Sequence, residues 1–367
     1  MTMVNFLETI IRWLEKIPGF SGAAAKWDLR FSETLRGIMD VPRCPQKLSG
    51  ETWGLCVLFG TVEKKIHLKN FSAFRARNRK QGLKLLVVEQ VLPGQEFLLT
   101  PHDADIVIQI RGGDILWQKE RLLNLALERL PKECDKVICL DIDTIFLNED
   151  WVEETARLLE KYVVVQPFKN IFWVDQEQSE EILADPYGRI KIRRHADIYL
   201  GAAYRMSLKR FGLWPRQTEV LFGDPGYAIA FRRSVLADGG FYEKMVLGGG
   251  DRVMMQSLYH PFDEELYRRE PLYDDHFPPE RYRDLSAWSR NVFEKVQKSV
   301  FFTEGTLVHL WHGEKEKRKY FPRLNILTSY GFDPEKDIRL DEGGCWVWAT
   351  DKKDMHRAVA EYFKLRV

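Results

Sequence analysis

Val137-Ile-Cys-Leu-Asp141-Ile-Asp143-Thr-Ile-Phe146 is the stretch on which the reading of this chain turns. Four mostly apolar residues of strand-forming type run into two carboxylates spaced i, i+2. Side chains of an extended strand alternate between faces, so the spacing directs Asp141 and Asp143 to one side. Two hard oxygen donors there suit Mn2+ or Mg2+, above all an ion that also holds a diphosphate. Acids at strand ends are often merely solvated, so the motif takes its weight from its surroundings.

Upstream, apolar runs at residues 55–59 (LCVLF), 83–89 (LKLLVVE) and 106–110 (IVIQI) read as strands. Helical patterns at 64–81 and 118–130 separate them, and 151–162 with 163–167 adds a further helix and strand. This alternation predicts an α/β fold with a mainly parallel, doubly wound sheet. Ligands in such sheets sit beyond the carboxyl ends of the strands, where Gly60, Glu89 and Asp141 fall.

Downstream, residues 169–220 are more polar and carry the basic cluster Arg189-Ile-Lys191-Ile-Arg193-Arg194-His195. Its default reading is a solvated surface, and the competing one is a patch facing an acceptor. A glycine-led strand follows, Gly223-Asp-Pro-Gly226-Tyr-Ala-Ile-Ala-Phe231, and then the turn Leu247-Gly248-Gly249-Gly250-Asp251. Asp251 either caps a helix over 252–259 or serves chemistry, since Asp is a favoured N-cap. Residues 261–285 read as irregular, 306–309 as β-like, and 354–365 as a closing helix. His309-Leu-Trp-His312-Gly313 adds two imidazoles, which are either satisfied histidines or ligands.

The 367 residues are 45% hydrophobic and 13% aromatic, ample for a sizeable core. Net charge is +1, so no global pull toward nucleic acid or anionic membrane exists. Cys44, Cys56, Cys134, Cys139 and Cys345 are odd in number and lack a Cys-x-x-Cys pair. They read as reduced thiols of a cytoplasmic protein. Residues 3–17 place Val4, Leu7, Ile11 and Leu14 on one helical stripe, interrupted by Glu8, Arg12, Glu15 and Lys16. Such a helix cannot span a bilayer. It docks on protein in the first reading and lies peripherally on a membrane in the second.

Taken in order, these patterns resemble the inverting beta-1,4-galactosyltransferase family, which shares its second half with polypeptide N-acetylgalactosaminyltransferases. The likeness covers roughly residues 53–325. Val57-Leu-Phe59-Gly-Thr61 looks like that family's first donor-binding strand, Val87-Val88-Glu89-Gln90 like its "IEQ" segment, and Arg121-Leu-Leu-Asn124 like its "KLLN" helix start. Asp141-Ile-Asp143 stands at its metal motif, Gly226–Phe231 and Gly248-Gly249-Gly250-Asp251 at its sugar-binding strand and "GGED" segment, and His309-x-x-His312 at its "M-x-x-H" pair.

The resemblance implies a GT-A-type domain over 51–330, with a helical extension and connector over 1–50 and a closing segment over 331–367. It implies an inverting transfer of a sugar from a nucleotide-sugar, a UDP-sugar first, to an acceptor hydroxyl. Asp143, His309 and His312 would be metal ligands, with Asp141 in the metal's shell or on the ribose. Asp251 would be the catalytic base, and Phe59, Thr61, Glu89, Arg121, Asn124, Gly226 and Gly249 would line the donor site. Three departures bear on donor and acceptor: the family's Arg is Gly60, its loop Trp is missing near Leu247, and the Glu before its catalytic Asp is Gly250. The acceptor stays open among a lipid-linked glycan, a free sugar, a protein and a modified nucleobase. A nucleotidyltransferase would need a glycine-rich phosphate loop after the first strand, where only Gly60 stands. A non-catalytic binder would not need both Asp143 and Asp251.

Overall fold

Along β1 (Glu51–Leu58), Trp53, Leu55 and Val57 enter one apolar core while Cys56 and Leu58 enter another. The same alternation divides Leu86 and Val88 from Leu85 and Val87 in β2 (Lys84–Val91), and Val137 and Cys139 from Ile138 and Leu140 in β4 (Cys134–Leu140). Both faces of these strands are covered, which is why they read as unbroken apolar runs. The computed structural model describes residues 41–60, 64–193, 196–210, 223–262, 279–314, 316–318 and 322–365.

The remaining strands of the large sheet are β3 (Ile106–Arg111), β6 (Val164–Gln166), β9 (Ala228–Arg232) and β10 (Val300–Phe302). Their order is β10-β6-β9-β4-β1-β2-β3. All neighbours are parallel except β9, which runs antiparallel between β4 and β6. One face carries Phe71 and Phe74 of α1 (Lys64–Lys80) and Trp151 and Leu159 of α3 (Trp151–Leu159). The other carries Leu122 and Ala126 of α2 (Lys119–Arg129) and, further along, two more helices described below. The fold is therefore the expected α/β class with a mainly parallel sheet and helices on both faces.

A second sheet of order β5-β11-β7-β8 was not legible from spacing, apart from the β-like 306–309. It comprises β5 (Thr144–Phe146), β7 (Asn170–Trp173), β8 (Asp197–Leu200) and β11 (Thr306–His309). Phe146 stacks on Trp151 at 3.9 Å, which anchors β5 directly after the Asp141–Asp143 turn. Such an aromatic pair adds about 0.5–1.5 kcal/mol beyond its buried area. In register, His309 lies opposite Thr144 on one side and Trp173 on the other.

Between the sheets' contributions lie α4 (Gln176–Ala184), α5 (Ala202–Arg210), α6 (Arg233–Leu236), α7 (Gly250–Tyr259) and α8 (Pro279–Val296). Met254 and Leu258 of α7 and Val292 and Val296 of α8 complete the second core face. Two sequence expectations change here. The helix after the glycine turn begins at Gly250, not at 252, and residues 279–285 are helical rather than irregular. The helix expected at 3–17 and most of the connector lie outside the described residues.

The chain closes with α9 (Pro322–Ser329), α10 (Pro334–Asp337), the antiparallel pair β12 (Ile338–Leu340) and β13 (Trp346–Trp348), and α11 (Lys353–Leu365). Met355, Val359 and Tyr362 of α11 pack with Leu116, Val246 and Leu247. Gln118 exchanges two hydrogen bonds with the Trp346 backbone, at 2.8 and 3.0 Å. The closing segment thus pins the start of α2 beside the glycine turn. No helix among the described residues is long and apolar enough to cross a membrane.

Candidate active site

The β5–β11 register builds the first half of the site. Asp143 directly precedes β5, His309 ends β11, and the Leu310 amide donates to the Asp143 carbonyl at 2.8 Å. His312 Nε2 then lies 3.0 Å and His309 Nε2 3.7 Å from Asp143 Oδ2. The three side chains are 6%, 9% and 12% exposed for His309, Asp143 and His312, and their ligand atoms all lie within 4.8 Å of one another. Asp143 Oδ1 is buried and, among the described residues, takes no hydrogen bond. Burial pushes the His309 pKa down to about 3, with Asp143 only partly opposing, so the ring is neutral and has a lone pair to give. Burial alone would raise the Asp143 pKa, but His312, 3.0 Å away and hydrogen-bonded to it, outweighs burial and holds the group ionised. A carboxylate with an orphaned oxygen and two convergent imidazoles fit a divalent cation. Their mixed donors favour Mn2+ over the more strictly oxygen-seeking Mg2+.

Asp141 does not share this spot. The strand ends at Leu140, paired with Ala228, so both acids sit on the following turn and lose the shared face that an extended strand would give them. Asp141 instead forms an ion pair with Lys119 and accepts a 3.3 Å hydrogen bond from the Tyr227 amide. Lys119 is largely buried, which would lower its pKa, but Asp141, Asp251 and Glu120 together raise it and keep it cationic.

Small residues shape this second half. A Cβ on Gly226 would lie 2.7 Å from Asp251 Oδ2, and one on Gly250 would lie 2.3 Å from Glu120 Oε1. Gly249 takes φ 103°, a left-handed conformation open to glycine, and is the N-cap of α7. Asp251 therefore lies in the first turn rather than at the cap, with Oδ1 accepting from the Arg252 amide at 2.8 Å.

Tyr227 joins the halves. Its backbone, at φ 70°, exchanges with Asp141, while its hydroxyl accepts from Trp173 Nε1 at 2.8 Å. Both rings flank His309, at 4.6 Å for Trp173 and 5.2 Å for Tyr227. His67 of α1 lies 5.4 Å from His312, ring to ring. A cavity of about 460 Å³ opens beside His309, lined among others by Trp173, Trp311 and Arg318. Lys119, Glu120, Trp173 and Tyr227 escaped the sequence reading. A lysine and a glutamate at a helix start read as ordinary solvated charges, and a left-handed tyrosine leaves no signature beyond the glycine before it.

The other expected donor residues are distributed as follows. Phe59, half-buried just past β1, stands edge-on to Trp117 at 5.1 Å. The Glu89 carboxylate is buried and accepts from the Leu98 and Leu99 amides and from Gln109. Arg121 donates to the Gly344 carbonyl and pairs with Glu243. Asn124 is bracketed by the Phe241 backbone and Glu243. Arg121 and Asn124 thus spend their polar groups holding neighbouring segments. Thr61 and part of the basic cluster, Arg194 and His195, lie outside the described residues, while Arg193 pairs with Glu177 and Glu181.

No protein-family model matches the chain, and no curated protein matches it. Among solved structures it is similar to the Pyrobaculum calidifontis mannosyltransferase PcManGT in complex with GDP-Man and Mn2+, at 12% identity and TM-score 0.39, covering 88% of this chain and 74% of that one. It is similar to the catalytic domain of Drosophila beta1,4galactosyltransferase 7, at 12% identity and TM-score 0.32, covering 84% and 98%. It is also similar to 4-diphosphocytidyl-2C-methyl-D-erythritol synthase from Anaerococcus prevotii, at 11% identity and TM-score 0.32, covering 85% and 96%.

Proposed function

We propose that the chain is a GT-A-type, metal-dependent, inverting glycosyltransferase that moves a hexosyl or N-acetylhexosaminyl group from a nucleotide-sugar, first a UDP-sugar, to an acceptor hydroxyl. The observation that carries this reading is the convergence of Asp143, His309 and His312 next to the Lys119–Asp141–Asp251 cluster. Asp143, His309 and His312 would hold Mn2+, which when bound neutralises the leaving diphosphate. Trp173 and Tyr227 keep His309 in place, and Lys119 adds a fixed cation paired with Asp141.

Asp251 serves as base. The acceptor oxygen attacks the anomeric carbon, its proton passes to the Asp251 carboxylate, and the bond from that carbon to the diphosphate oxygen breaks. Attack from the face opposite the leaving group inverts the centre. Gly226 lets the Asp251 carboxylate come up against the strand that leads to Tyr227.

The test is a panel of nucleotide-sugars incubated with Mn2+ and with excess chelator, with nucleoside diphosphate release as readout. Mn2+-dependent release of UDP or GDP supports the reading. Pyrophosphate release from a nucleoside triphosphate and a sugar phosphate would replace it with nucleotidyl transfer. Tight nucleotide-sugar binding without hydrolysis or transfer to any acceptor would leave a binding protein.

A further inference from the structure

Trp311 stands between His309 and His312, and the fold holds its backbone from two sides. Its amide donates to Ser179 Oγ of α4 at 2.7 Å, and its carbonyl accepts from Asn70 Nδ2 of α1 at 3.2 Å. Ser179 and Asn70 are both buried, which shields these bonds from water. The indole is half-buried, and among the described residues it has no ring, cation or hydrogen-bond partner. It lines the cavity of about 460 Å³ beside His309, a volume in the range of small-molecule sites. A large aromatic face, fixed in place and unused by the protein, is a surface for a ligand.

The wall around the indole narrows the ligand's chemistry. Among the described residues of that wall, the carboxylates of Asp175, Asp197 and Glu314 stand against the single guanidinium of Arg318. Arg318 is 4% exposed and lies over the Trp173 ring at 5.1 Å. Arg193 of the basic cluster is paired with Glu177 and Glu181, so its charge is already answered. A phosphate or a uronate would meet net negative charge here. Carboxylates accept hydrogen bonds and donate none, so hydroxyls suit them. An uncharged sugar ring combines several hydroxyls with an apolar C–H face that fits the electron-rich face of an indole.

Position ties the cavity to the chemistry. Trp173, in its wall, donates from Nε1 to the Tyr227 hydroxyl at 2.8 Å, and Gly226 before Tyr227 lies against the Asp251 carboxylate. The cavity is thus linked through one residue to the strand end beside the proposed base. Most of its wall comes from residues 173–178 and 196–197, and no motif of the family likeness falls between 144 and 225. Resting on the glycosyltransferase reading above, we propose that this cavity receives the acceptor, and that the acceptor is a carbohydrate without negative charge, one sugar ring of which lies on Trp311. The acceptor is then chosen by a segment of the chain separate from the motifs that hold metal and donor.

The experiment is saturation-transfer NMR on the full chain with Mn2+ and UDP. The probes are the methyl β-glycosides of glucose, galactose, N-acetylglucosamine, mannose and xylose, with methyl β-glucuronide, glucose 6-phosphate and uridine beside them. Thermal midpoints and UDP affinity are measured in parallel for wild type, W311A, W311F and D197K. At least one neutral glycoside should bind, and W311A should weaken it about 10-fold, the worth of losing an aromatic face. W311F should keep most of the affinity, and UDP affinity should stay within a few-fold in every variant. D197K, at an exposed wall position, should raise binding of the glucuronide relative to the neutral glycosides. Absence of binding by every neutral glycoside in a protein that binds UDP overturns the inference, as does equal glycoside affinity in W311A and wild type. Tighter binding of the anionic sugars or of uridine than of the neutral glycosides by wild type also overturns it. If W311A does not fold, D197K decides alone, and an unchanged preference there counts against the inference. A wild-type protein that binds neither UDP nor any nucleotide-sugar removes the glycosyltransferase reading instead, and the acceptor role with it.

Discussion

His312 Nε2 lies 3.2 Å from His309 Nε2, with Asp143 Oδ2 3.0 Å beyond His312. Two imidazole nitrogens at this separation must either share a proton or both give their lone pairs to a cation. Burial keeps His309 neutral, which leaves the second arrangement open at ordinary pH. Mn2+ titration followed by paramagnetic resonance should therefore show one tight site. Outer partners of metal ligands alone are worth about 10–100-fold in affinity, so Asp143→Ala and His312→Ala should each lose at least ~100-fold. Unchanged Mn2+ affinity in both variants would remove the metal from the mechanism.

Asp251→Asn separates chemistry from helix stability. Gly249, not Asp251, is the N-cap of α7, and asparagine keeps the side chain's shape. The variant should melt close to wild type while kcat falls by about 10²–10⁴, the usual worth of general-base assistance. A near-normal kcat with a verified acceptor would move the base elsewhere.

Glu120 carries a pH signature. Burial raises its pKa to about 7, with Lys119 opposing and Asp251 adding, against an ordinary 4.5. The native state thus binds the proton more tightly than the unfolded state does. That contribution to stability is fully present below about pH 4.5 and is lost as pH rises through 7. Its upper bound is about 3 kcal/mol. Glu120→Gln should therefore gain stability over wild type at pH 8 and show no such gain at pH 4.5, as read from denaturant midpoints. A difference that does not vary with pH would mean that the carboxyl ionises freely.

Arg121 and Asn124 are expected to matter for the fold more than for the nucleotide. Asn124 closes two hydrogen bonds on Phe241 and one on Glu243, and Arg121 holds Gly344 and Glu243. Leaving such groups unsatisfied costs about 1–3 kcal/mol each. Asn124→Ala should show that loss in urea unfolding, with UDP affinity within a few-fold of wild type. A selective loss of UDP affinity at full stability would restore the donor-lining role.

What the sequence disclosed follows from length and burial. The runs in β1, β2 and β4 were legible because both of their faces are covered. The antiparallel sense of β9 was not, since direction leaves no mark on composition. Strands β5 and β8, at three and four residues, are too short for a period to show. The i, i+2 spacing of Asp141 and Asp143 presumed an extended backbone, and the turn after Leu140 separates them. Glu120 was hidden because its partner is a missing side chain, which only three-dimensional proximity reveals.

The register that joins β5 to β11 also sets a timetable for the growing chain. Asp143 and Thr144 leave the ribosome roughly 170 residues before His309, which at about 5–20 residues per second is a wait on the order of 10–30 s. During that interval the turn after β4 has neither its histidines nor, until residue 228, the strand that completes its sheet. If Asp143, His309 and His312 hold a cation as proposed, only chains whose synthesis has passed His312 would have the full ligand set to capture it.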